Sequence, residues 1–332
     1  MSVAIETSAG PTTDGQAQRE RLAGILQGYG AAIVLGILVV VGALSFPTFL
    51  TANNFTNIAT QSSFPLIVAI GMTFVILTGG IDLSVGSVFA LGGVLAAYGS
   101  SFGALGALLL PLGVCGAIGL FQGLLVAYAK MAPFIVTLAG LLAVRGLVLA
   151  ITAGGSTTPL VKDPGFAALG QGGVFGIHWT VIIAVTAVVV GTVVLTRTRG
   201  GQAIFAVGGS ESASAYMGLP VARVKLSVYI VSGACAGLAG ALNAGYSSSG
   251  VPTVGVGLEL SAISAVVIGG TLLVGGRGSL VGTLAGVLLL SVIQNMINQV
   301  GSLSSSVQAV VSGGFLAIVV IIQTVLSRTQ RL

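Results

Sequence analysis

Long apolar segments separated by short polar connections dominate the chain. Ten of these segments approach or exceed the roughly 20 apolar residues that a helix needs to cross the hydrocarbon core of a bilayer. The segments are 28–46, 56–78, 83–100, 103–129, 133–153, 178–196, 225–246, 258–275, 280–299 and 307–327. They are continuous, whereas the strands of a transmembrane β-barrel alternate apolar and polar positions. The pattern therefore predicts an all-α, polytopic membrane helix bundle with about ten transmembrane helices.

The composition also favours a membrane protein. Only 6% of the 332 residues are charged and 55% are hydrophobic, which leaves too little polar surface for a soluble protein of this length. The 52 glycines let helices approach closely, as van der Waals packing in a bilayer requires. Cys115 and Cys235 lie in apolar segments, so we expect no disulfide, metal site or cofactor. Basic residues occur singly or in pairs, which argues against a nucleic-acid partner.

The basic residues predict the orientation of the spans. If the amino terminus is cytoplasmic, ten of the twelve basic residues lie on the cytoplasmic side, as the positive-inside rule favours. These ten are Arg19, Arg21, Lys130, Arg197, Arg199, Arg223, Lys225, Arg277, Arg328 and Arg331. Lys162 lies in an outer loop, and Arg145 lies within the fifth span, where we expect it to snorkel toward the cytoplasmic half and form a structural ion pair. Both termini are therefore predicted to be cytoplasmic, with residues 1–25 a disordered tail and 26–332 the membrane domain.

One acidic residue lies between two apolar spans. The run LTGGIDLSVGS at 77–87 places Asp82 among glycines, which would permit a broken helix buried in protein or lining water. Two interpretations remain open: Asp82 or Ser84 caps the third helix, or both residues serve a pathway or gating role. The Gly-Gly turn in this run is faintly echoed later in the chain, a weak indication of an internal repeat. The corresponding residues are Gly79, Gly80, Gly86 and Ser87, and then Gly269, Gly270, Gly278 and Ser279.

The ninth span carries a stripe of polar side chains. They recur at i, i+3, i+4 and i+7, which places them on one helical face. The four residues are Ser291, Gln294, Asn295 and Asn298. Uncompensated amides in hydrocarbon cost several kcal/mol each, so this face must meet protein or water. The stripe either contacts a neutral polyhydroxylated solute or forms interhelical hydrogen bonds between subunits.

Two connections between spans are long. The glycine- and proline-containing stretch 154–177 is predicted to be an external loop. The cytoplasmic stretch 197–223 holds a short helical pattern around 210–217, closed by Gly218 and Pro220. A helix this short needs a partner to be stable. The sequence contains neither a phosphate-binding loop of the G-x-x-x-x-G-K-[ST] type nor a nucleophile-base-acid set, so no catalytic residue is predicted and any ATP would be bound by another chain.

Four ordered blocks of the sequence resemble the ribose-type permeases of bacterial carbohydrate ABC importers. The blocks are LTGGIDLSVGS at 77–87, APFIVTLAGLLAVRGL at 132–147, AVGGSESASAYMGLPVARVKL at 206–226 and AVVIGGTLLVGGRGSLVGTLAG at 265–286. The last block is especially similar to the galactofuranose-type branch. The resemblance extends from about Phe49 to the carboxyl end.

This resemblance implies a type II (vitamin B12 importer-like) permease fold in the bacterial plasma (inner) membrane. It implies a core of two permease subunits, as a homodimer or a heterodimer, with an ABC ATPase subunit and a periplasmic or lipid-anchored sugar-binding protein. It also implies that the segment at about 208–219 is a coupling helix that docks on the ATPase. The residues carried over to that role are Gly208, Gly209, Glu211, Ala213, Met217 and Gly218. The E-A-A-x-x-x-G pattern of importer permeases is modified here, because Ser212 replaces its first alanine and Gly218 comes one position late.

The function expected from these features is import of a ribose- or galactofuranose-type sugar by alternating access, driven by a separate ATPase. An ion-coupled secondary transporter is one alternative, although such proteins carry buried carboxylates or histidines and this chain offers only Asp82 and Glu259. A permease for branched-chain amino acids is another, although a zwitterion would favour charged groups along the pathway. The pattern does not identify the sugar or distinguish a homodimer from a heterodimer of permeases.

Overall fold

The protein is mostly helical. The computed structural model describes residues 14–300 and, beyond them, positions 307, 310, 313, 314 and 317, with side chains from position 30 onward. A two-stranded antiparallel hairpin, β1 (Gly173–Val174) and β2 (Ile177–His178), lies on the outer side of the predicted topology. The α-helices within residues 14–300 are α1 (Asp14–Ser45), α2 (Ala52–Leu77), α3 (Val85–Gly99), α4 (Gly103–Ala127), α5 (Pro133–Ile151), α6 (Pro164–Gln171), α7 (Trp179–Arg197), α8 (Arg199–Gly209), α9 (Glu211–Tyr216), α10 (Val221–Ser247), α11 (Leu258–Ile268) and α12 (Leu280–Val300).

Six helical stretches in the described part of the chain are long and apolar enough to cross a membrane. They are Ala52–Leu77, Val85–Ala127, Pro133–Ile151, Trp179–Arg197, Val221–Ser247 and Leu280–Val300. The second stretch is a helical hairpin, because the 3-10 turn Ser100–Phe102 separates α3 from α4 and Gly99 packs directly on Gly106. Because this hairpin corresponds to two predicted spans, the six stretches correspond to seven of the ten predicted spans. The predicted span 307–327 lies outside the described residues except at isolated positions.

The helix α11 is shorter than the sequence pattern predicts. The apolar run 258–275 predicts a full span, but the helix ends at Ile268 after 11 residues. Gly270 takes φ +89°, and its amide donates to the carbonyl of Val267, which closes the helix end. Residues 271–279 then form a turn that leads into α12. Hydrophobicity does not mark this end, because the turn contains apolar residues as well.

The first helix begins earlier than predicted. Its backbone is helical from Asp14, so residues 14–25 of the predicted disordered tail belong to α1, and residues 1–13 lie outside the described part of the chain. The segment is polar, but Gln, Arg, Glu, Leu and Ala are all good helix formers, which explains the extension.

The helix α10 lies at the centre of the bundle and packs against α2, α3 and α4. Glycines bring α4 and α10 into backbone contact: Gly119 lies on the carbonyl of Tyr229, and Gly233 lies on the carbonyl of Cys115. Tyr229 is almost completely buried in the main apolar core. Glycine at these positions permits the close approach because a methyl group would overlap the opposing backbone.

The predicted external loop 154–177 is an ordered structure. It contains α6 and the β-hairpin, and its backbone pairs with the end of α10, since the Val161 amide donates to the Ser248 carbonyl and the Gly250 amide donates to the Pro159 carbonyl. These bonds connect the loop to the segment that leads into α11.

Candidate functional site

A cavity of about 690 Å³ opens between α2, α11 and α12. Its polar lining residues are Gln61 from α2, Ser261 and Ser264 from α11, and Ser291, Gln294, Asn295 and Asn298 from α12. The cavity thus brings the whole predicted stripe of α12 together with hydroxyl and amide groups of two other helices. Among the described lining residues none carries a charged side chain. Such a surface donates and accepts hydrogen bonds without attracting an ion.

Within the stripe, the four side chains do not all have the same surroundings. Asn295 exchanges hydrogen bonds with Asn54 of α2, with Nδ2 to Oδ1 distances of 2.8 and 3.2 Å, and it also accepts from Gln299. Gln294 Nε2 donates to Asn298 Oδ1 at 3.2 Å, one turn along the same helix. Asn295 therefore joins α12 to α2 within this chain, while Asn298 is the most exposed member of the stripe.

A second hydrogen bond holds α12 against α2, nearer the beginning of α12. The hydroxyls of Thr73 and Thr283 lie 2.8 Å apart and are fully buried. Buried hydroxyls in a bilayer are stabilised by such pairing because no water replaces the partner.

Asp82 lies in an irregular segment between α2 and α3, and its side chain is only 1% exposed. Its Oδ1 accepts from the Ser84 amide at 2.9 Å and from the Ser84 hydroxyl at 2.6 Å, and its Oδ2 accepts from the Ser232 hydroxyl at 2.7 Å. Asp82 thus accepts from the amide of Ser84, the residue immediately before α3, whereas the Ser84 side chain makes no capping hydrogen bond to α3. Neither Asp82 nor Ser84 is among the residues that line the cavity.

The backbone around Asp82 is satisfied by side chains from other helices. The Ile81 carbonyl accepts from the Thr137 hydroxyl of α5 at 3.3 Å and from the Tyr229 hydroxyl of α10 at 3.4 Å. Irregular backbone is tolerated at membrane depth only where protein supplies such partners. Nothing in the sequence pattern singles out Ser232 or Thr137, since a lone hydroxyl in an apolar helix usually bonds to its own backbone.

Arg145 supports a second irregular segment. One of its terminal nitrogens donates to the carbonyls of Pro252 and Val254, at 3.1 and 3.0 Å, in the segment 249–257 that leads into α11. The predicted ion pair is therefore wrong as the main contact, and Arg145 lies toward the end of α5 that joins the outer loop, away from the end predicted to be cytoplasmic. A guanidinium has several donors and no acceptor, so it can satisfy buried carbonyls that lack helical partners.

The predicted coupling segment consists of the end of α8 and the short helix α9. Ser210 caps α9 by accepting the Ala213 amide at 3.3 Å, and Gly218 ends it with φ +80°. Glu211 forms a salt bridge with Lys225 of α10. The exposed apolar residues of the coupling segment are Tyr216 and Met217, whose exposed fractions are 93% and 83%. The helix α8 (Arg199–Gly209) was not expected from the pattern, because its glycines weaken the helical signal.

Comparisons with known proteins agree with a membrane permease. Residues 54–322 match the family described as branched-chain amino acid transport system / permease component. The ribose import permease of Bacillus subtilis (strain 168) is 42% identical over 309 residues, covering 92% of this chain and 94% of that protein. The ribose import permease of Escherichia coli (strain K12) is 39% identical over 294 residues, covering 87% and 91%.

A third relative, the D-allose transport system permease protein of Escherichia coli (strain K12), is 35% identical over 304 residues, covering 90% of this chain and 92% of that protein. No solved structure matches the chain significantly. The family match covers most of the chain, and the relatives extend over nearly its whole length at high identity. The chain is therefore a multi-pass membrane protein that belongs to the permease-component family of branched-chain amino acid transport systems, in the part of that family that includes the ribose import permeases.

Proposed function

We propose that this protein is the permease subunit of an ABC importer for a ribose- or galactofuranose-type sugar, and that it forms the translocation pathway while a separate subunit hydrolyses ATP. The observation that carries the proposal is the uncharged polar cavity between α2, α11 and α12. Its hydroxyl and amide groups match a neutral solute with many hydroxyls, since each group can both donate and accept. Ser291, Gln294 and Asn298 are the pathway residues, and Asn295 holds the wall of the cavity to α2.

The relatives and the cavity favour a sugar over the other candidate solutes. The family description names branched-chain amino acids, but relatives that match this chain over about nine tenths of its length are named for ribose and D-allose. A zwitterionic amino acid would be recognised by charged groups, and the described lining has none. An ion-coupled transporter would need an available carboxylate, whereas both oxygens of Asp82 accept hydrogen bonds from protein donors. Asp82 and Ser84 then influence gating only indirectly, by holding the break before α3.

The membrane arrangement that we propose has ten spans with both termini cytoplasmic, in the inner membrane, and a type II permease fold. Connections that carry Arg199, Arg223 and Arg277 would share the cytoplasmic side. Contacts between the backbones of Leu77, Gly208 and Gly276 support this grouping, because they place three of the connections at one end of the bundle. A second permease subunit and a periplasmic or lipid-anchored sugar-binding protein complete the importer.

The coupling to ATP is assigned to α9. Tyr216 and Met217 present apolar surface outside the predicted spans, and a helix of six residues gains stability from docking in a partner. Gly209 and Ala213 are exposed near this surface, whereas Gly208 packs on the Leu77 carbonyl and not on the surface offered to the partner. ATP-driven movement of the partner would displace α9 and open the cavity alternately to the two sides of the membrane.

The first experiment tests coupling. The chain is purified with its ATPase subunit, reconstituted in proteoliposomes and assayed for uptake of radiolabelled D-ribose with its binding protein. We expect uptake to require ATP and to be abolished by Ala213→Trp, because the indole would block docking of α9. Ala168→Trp, on an exposed position of α6 in the outer loop, is the matched control and should retain uptake. Uptake driven by an ion gradient without ATP would refute the proposal, and normal uptake by Ala213→Trp would refute the coupling role.

A second experiment tests the pathway. Ser291→Cys and Leu289→Cys are made in a chain whose native Cys115 and Cys235 are replaced by alanine. A charged, membrane-impermeant thiol reagent should label position 291, which lines the cavity, and D-ribose should slow that labelling. Position 289, which is 1% exposed on another face of α12, should not be labelled. Equal labelling of both positions, regardless of ribose, would remove the cavity from the pathway.

A further inference from the structure

The end of α8 meets two other elements with its backbone at Gly208 and Gly209. A methyl group on Gly208 would overlap the Leu77 carbonyl oxygen at the end of α2 and lie 2.5 Å from the Gly276 amide nitrogen. The Gly276 amide in turn donates to the Leu77 carbonyl at 3.0 Å. We call this set of contacts the glycine junction. Its members are Leu77, Gly79, Gly208, Gly209, Gly275 and Gly276.

The remaining contacts of the junction are equally close. A Cβ on Gly276 would lie 2.9 Å from the Gly209 Cα, and a Cβ on Gly275 would lie 2.7 Å from the Gly79 amide nitrogen. Side chains between two elements absorb a small displacement by changing rotamer. At the glycines of the junction no side chain lies between the two backbones, and a displacement of one backbone therefore pushes directly on the next.

The two turns in the junction belong to helices that end in the same way. The Gly79 amide donates to the Ile76 carbonyl and the Gly270 amide donates to the Val267 carbonyl, with φ +76° and +89° at the two glycines. Both helix ends use the left-handed glycine that closes many helices. The caps at the ends of α2 and α11 are equivalent, but Gly79 is the first glycine of its pair and Gly270 the second, so the echo between the two Gly-Gly sequences is out of register by one residue.

The helices that these turns connect line the cavity farther along their length, since α2 contributes Ile58, Gln61 and Pro65, twelve or more residues before Leu77. The helices α2 and α11 both line the cavity, and the turn 271–279 that follows α11 leads into α12, which carries the polar stripe. The glycine junction therefore includes the turn that follows α2 and the turn that joins α11 to α12, so it is connected to all three helices that form the cavity. On its other side the junction continues through Ser210 into α9, the segment with exposed Tyr216 and Met217.

We propose that the glycine junction transmits the displacement of α8 and α9 to the cavity helices, and that Gly208 is a positioning residue for transport. The inference rests on the proposed function, because it presupposes a partner ATPase that moves α9. It adds the specific route by which that movement reaches α2, α11 and α12.

The test compares Gly208→Ala with Gly113→Ala in the complex with the co-purified ATPase, in proteoliposomes supplied with radiolabelled D-ribose and the binding protein. A methyl on Gly113 of α4 meets nothing within 4 Å. We expect Gly208→Ala to hydrolyse ATP at about the wild-type rate while the ribose moved per ATP hydrolysed falls roughly tenfold. Gly113→Ala should keep the wild-type ratio. A purely structural role would lower hydrolysis and transport together and leave the ratio unchanged.

A second pair of variants keeps the test decisive if Gly208→Ala fails to assemble. Gly276→Ala and Gly154→Ala place alanine at nearly equal φ, +75° and +72°, so the backbone strain is matched. Only Gly276 contacts another element, since a methyl on Gly154 meets nothing within 4 Å. We expect the ribose-to-ATP ratio to fall for Gly276→Ala alone.

Three results would overturn the inference. A wild-type ratio of ribose moved to ATP hydrolysed in both Gly208→Ala and Gly276→Ala would show that the glycine junction does not transmit movement. Loss of assembly in both of these variants, while the two controls assemble, would also overturn the inference. Absence of ATP-dependent ribose uptake in the wild-type complex would instead refute the proposed function and the inference with it.

Discussion

Asp82 shows how single residues stabilise irregular backbone inside this bundle. It has three protein donors, from Ser84 and Ser232, and the carbonyl next to it accepts from Thr137 and Tyr229. Arg145 does the same for the carbonyls of the segment before α11. Each break in regular structure is thus paired with a side chain from a different helix, and removal of that side chain leaves a buried polar group without its partner.

The first prediction follows from that pairing. Ser232→Ala removes the one hydrogen-bond donor that residues 30–300 supply to Asp82 Oδ2, and we expect it to lower the free energy of unfolding by about 1–3 kcal/mol, because a buried acceptor loses its partner. Ser227→Ala on the same helix is the control, since the Ser227 hydroxyl bonds to the carbonyl of Val224 in its own helix and the residue is exposed. Thermal unfolding of the purified chain in nanodiscs measures both, and equal midpoints would contradict the prediction.

Sequence alone could identify the ionisable residues in apolar segments, but not the side chains and carbonyls that form hydrogen bonds with them. Asp82 and Arg145 are ionisable groups beside or within apolar spans, so their type and position mark them. Ser232 and Thr137 are ordinary small polar residues, and their roles depend on long-range packing that periodicity does not encode. For the same reason the sequence did not indicate that Arg145 donates to the carbonyls of Pro252 and Val254, which come within its reach only in the folded chain.

At the level of elements, glycine faces decide which helices approach most closely. Gly119 of α4 lies on the Tyr229 carbonyl, whereas Gly116, about one turn earlier, meets nothing within 4 Å. The two glycines are about 60° apart around the helix axis, and of the two only Gly119 contacts α10.

This difference gives the second prediction. Gly119→Ala should lower the free energy of unfolding by about 1–3 kcal/mol, because the added methyl forces α4 away from α10. Gly116→Ala should cause no loss, since alanine is the better helix former and its methyl enters open space. Thermal unfolding of both variants in nanodiscs provides the measurement. A comparable loss for Gly116→Ala would show that helix conformation and not the contact is responsible.

The helices themselves were largely predictable from continuous hydrophobicity, because a span needs both length and apolar character. The helices α5 and α7 begin and end within two residues of the predicted segments 133–153 and 178–196. Elements outside the spans were less predictable. The glycines of α8 weaken its helical pattern, and α11 ends within an apolar run, so hydrophobicity does not mark its end. The helix α9 was predicted because Gly218 and Pro220 mark its end.

At the level of the whole molecule, the loops fall into two groups, one at each end of the bundle. Within each group the loops contact one another. One group joins the Pro159 region to the end of α10, and the other joins Leu77, Gly208 and Gly276. The positive charges of the described connections are concentrated in the second group, as expected for the cytoplasmic side.

The third prediction tests this orientation. In the chain without native cysteines, Phe175→Cys places a thiol at the fully exposed tip of the β-hairpin, and Tyr216→Cys places one on exposed α9. A membrane-impermeant thiol reagent added to intact cells should label position 175 and not position 216. Permeabilised cells should show labelling at both. The opposite pattern in intact cells would reverse the proposed topology.

The short helix α11 is fastened at each end to a different neighbour. Arg145 of α5 holds the segment that enters it, and the glycine junction holds the turn that leaves it. A rod held in this way tilts when one attachment moves relative to the other. At 1.5 Å per residue its 11 residues measure about 16 Å, so a tilt of about 12° would swing one end by about 3 Å, roughly the diameter of a water molecule. A displacement of this size would change the width of the cavity that α11 lines.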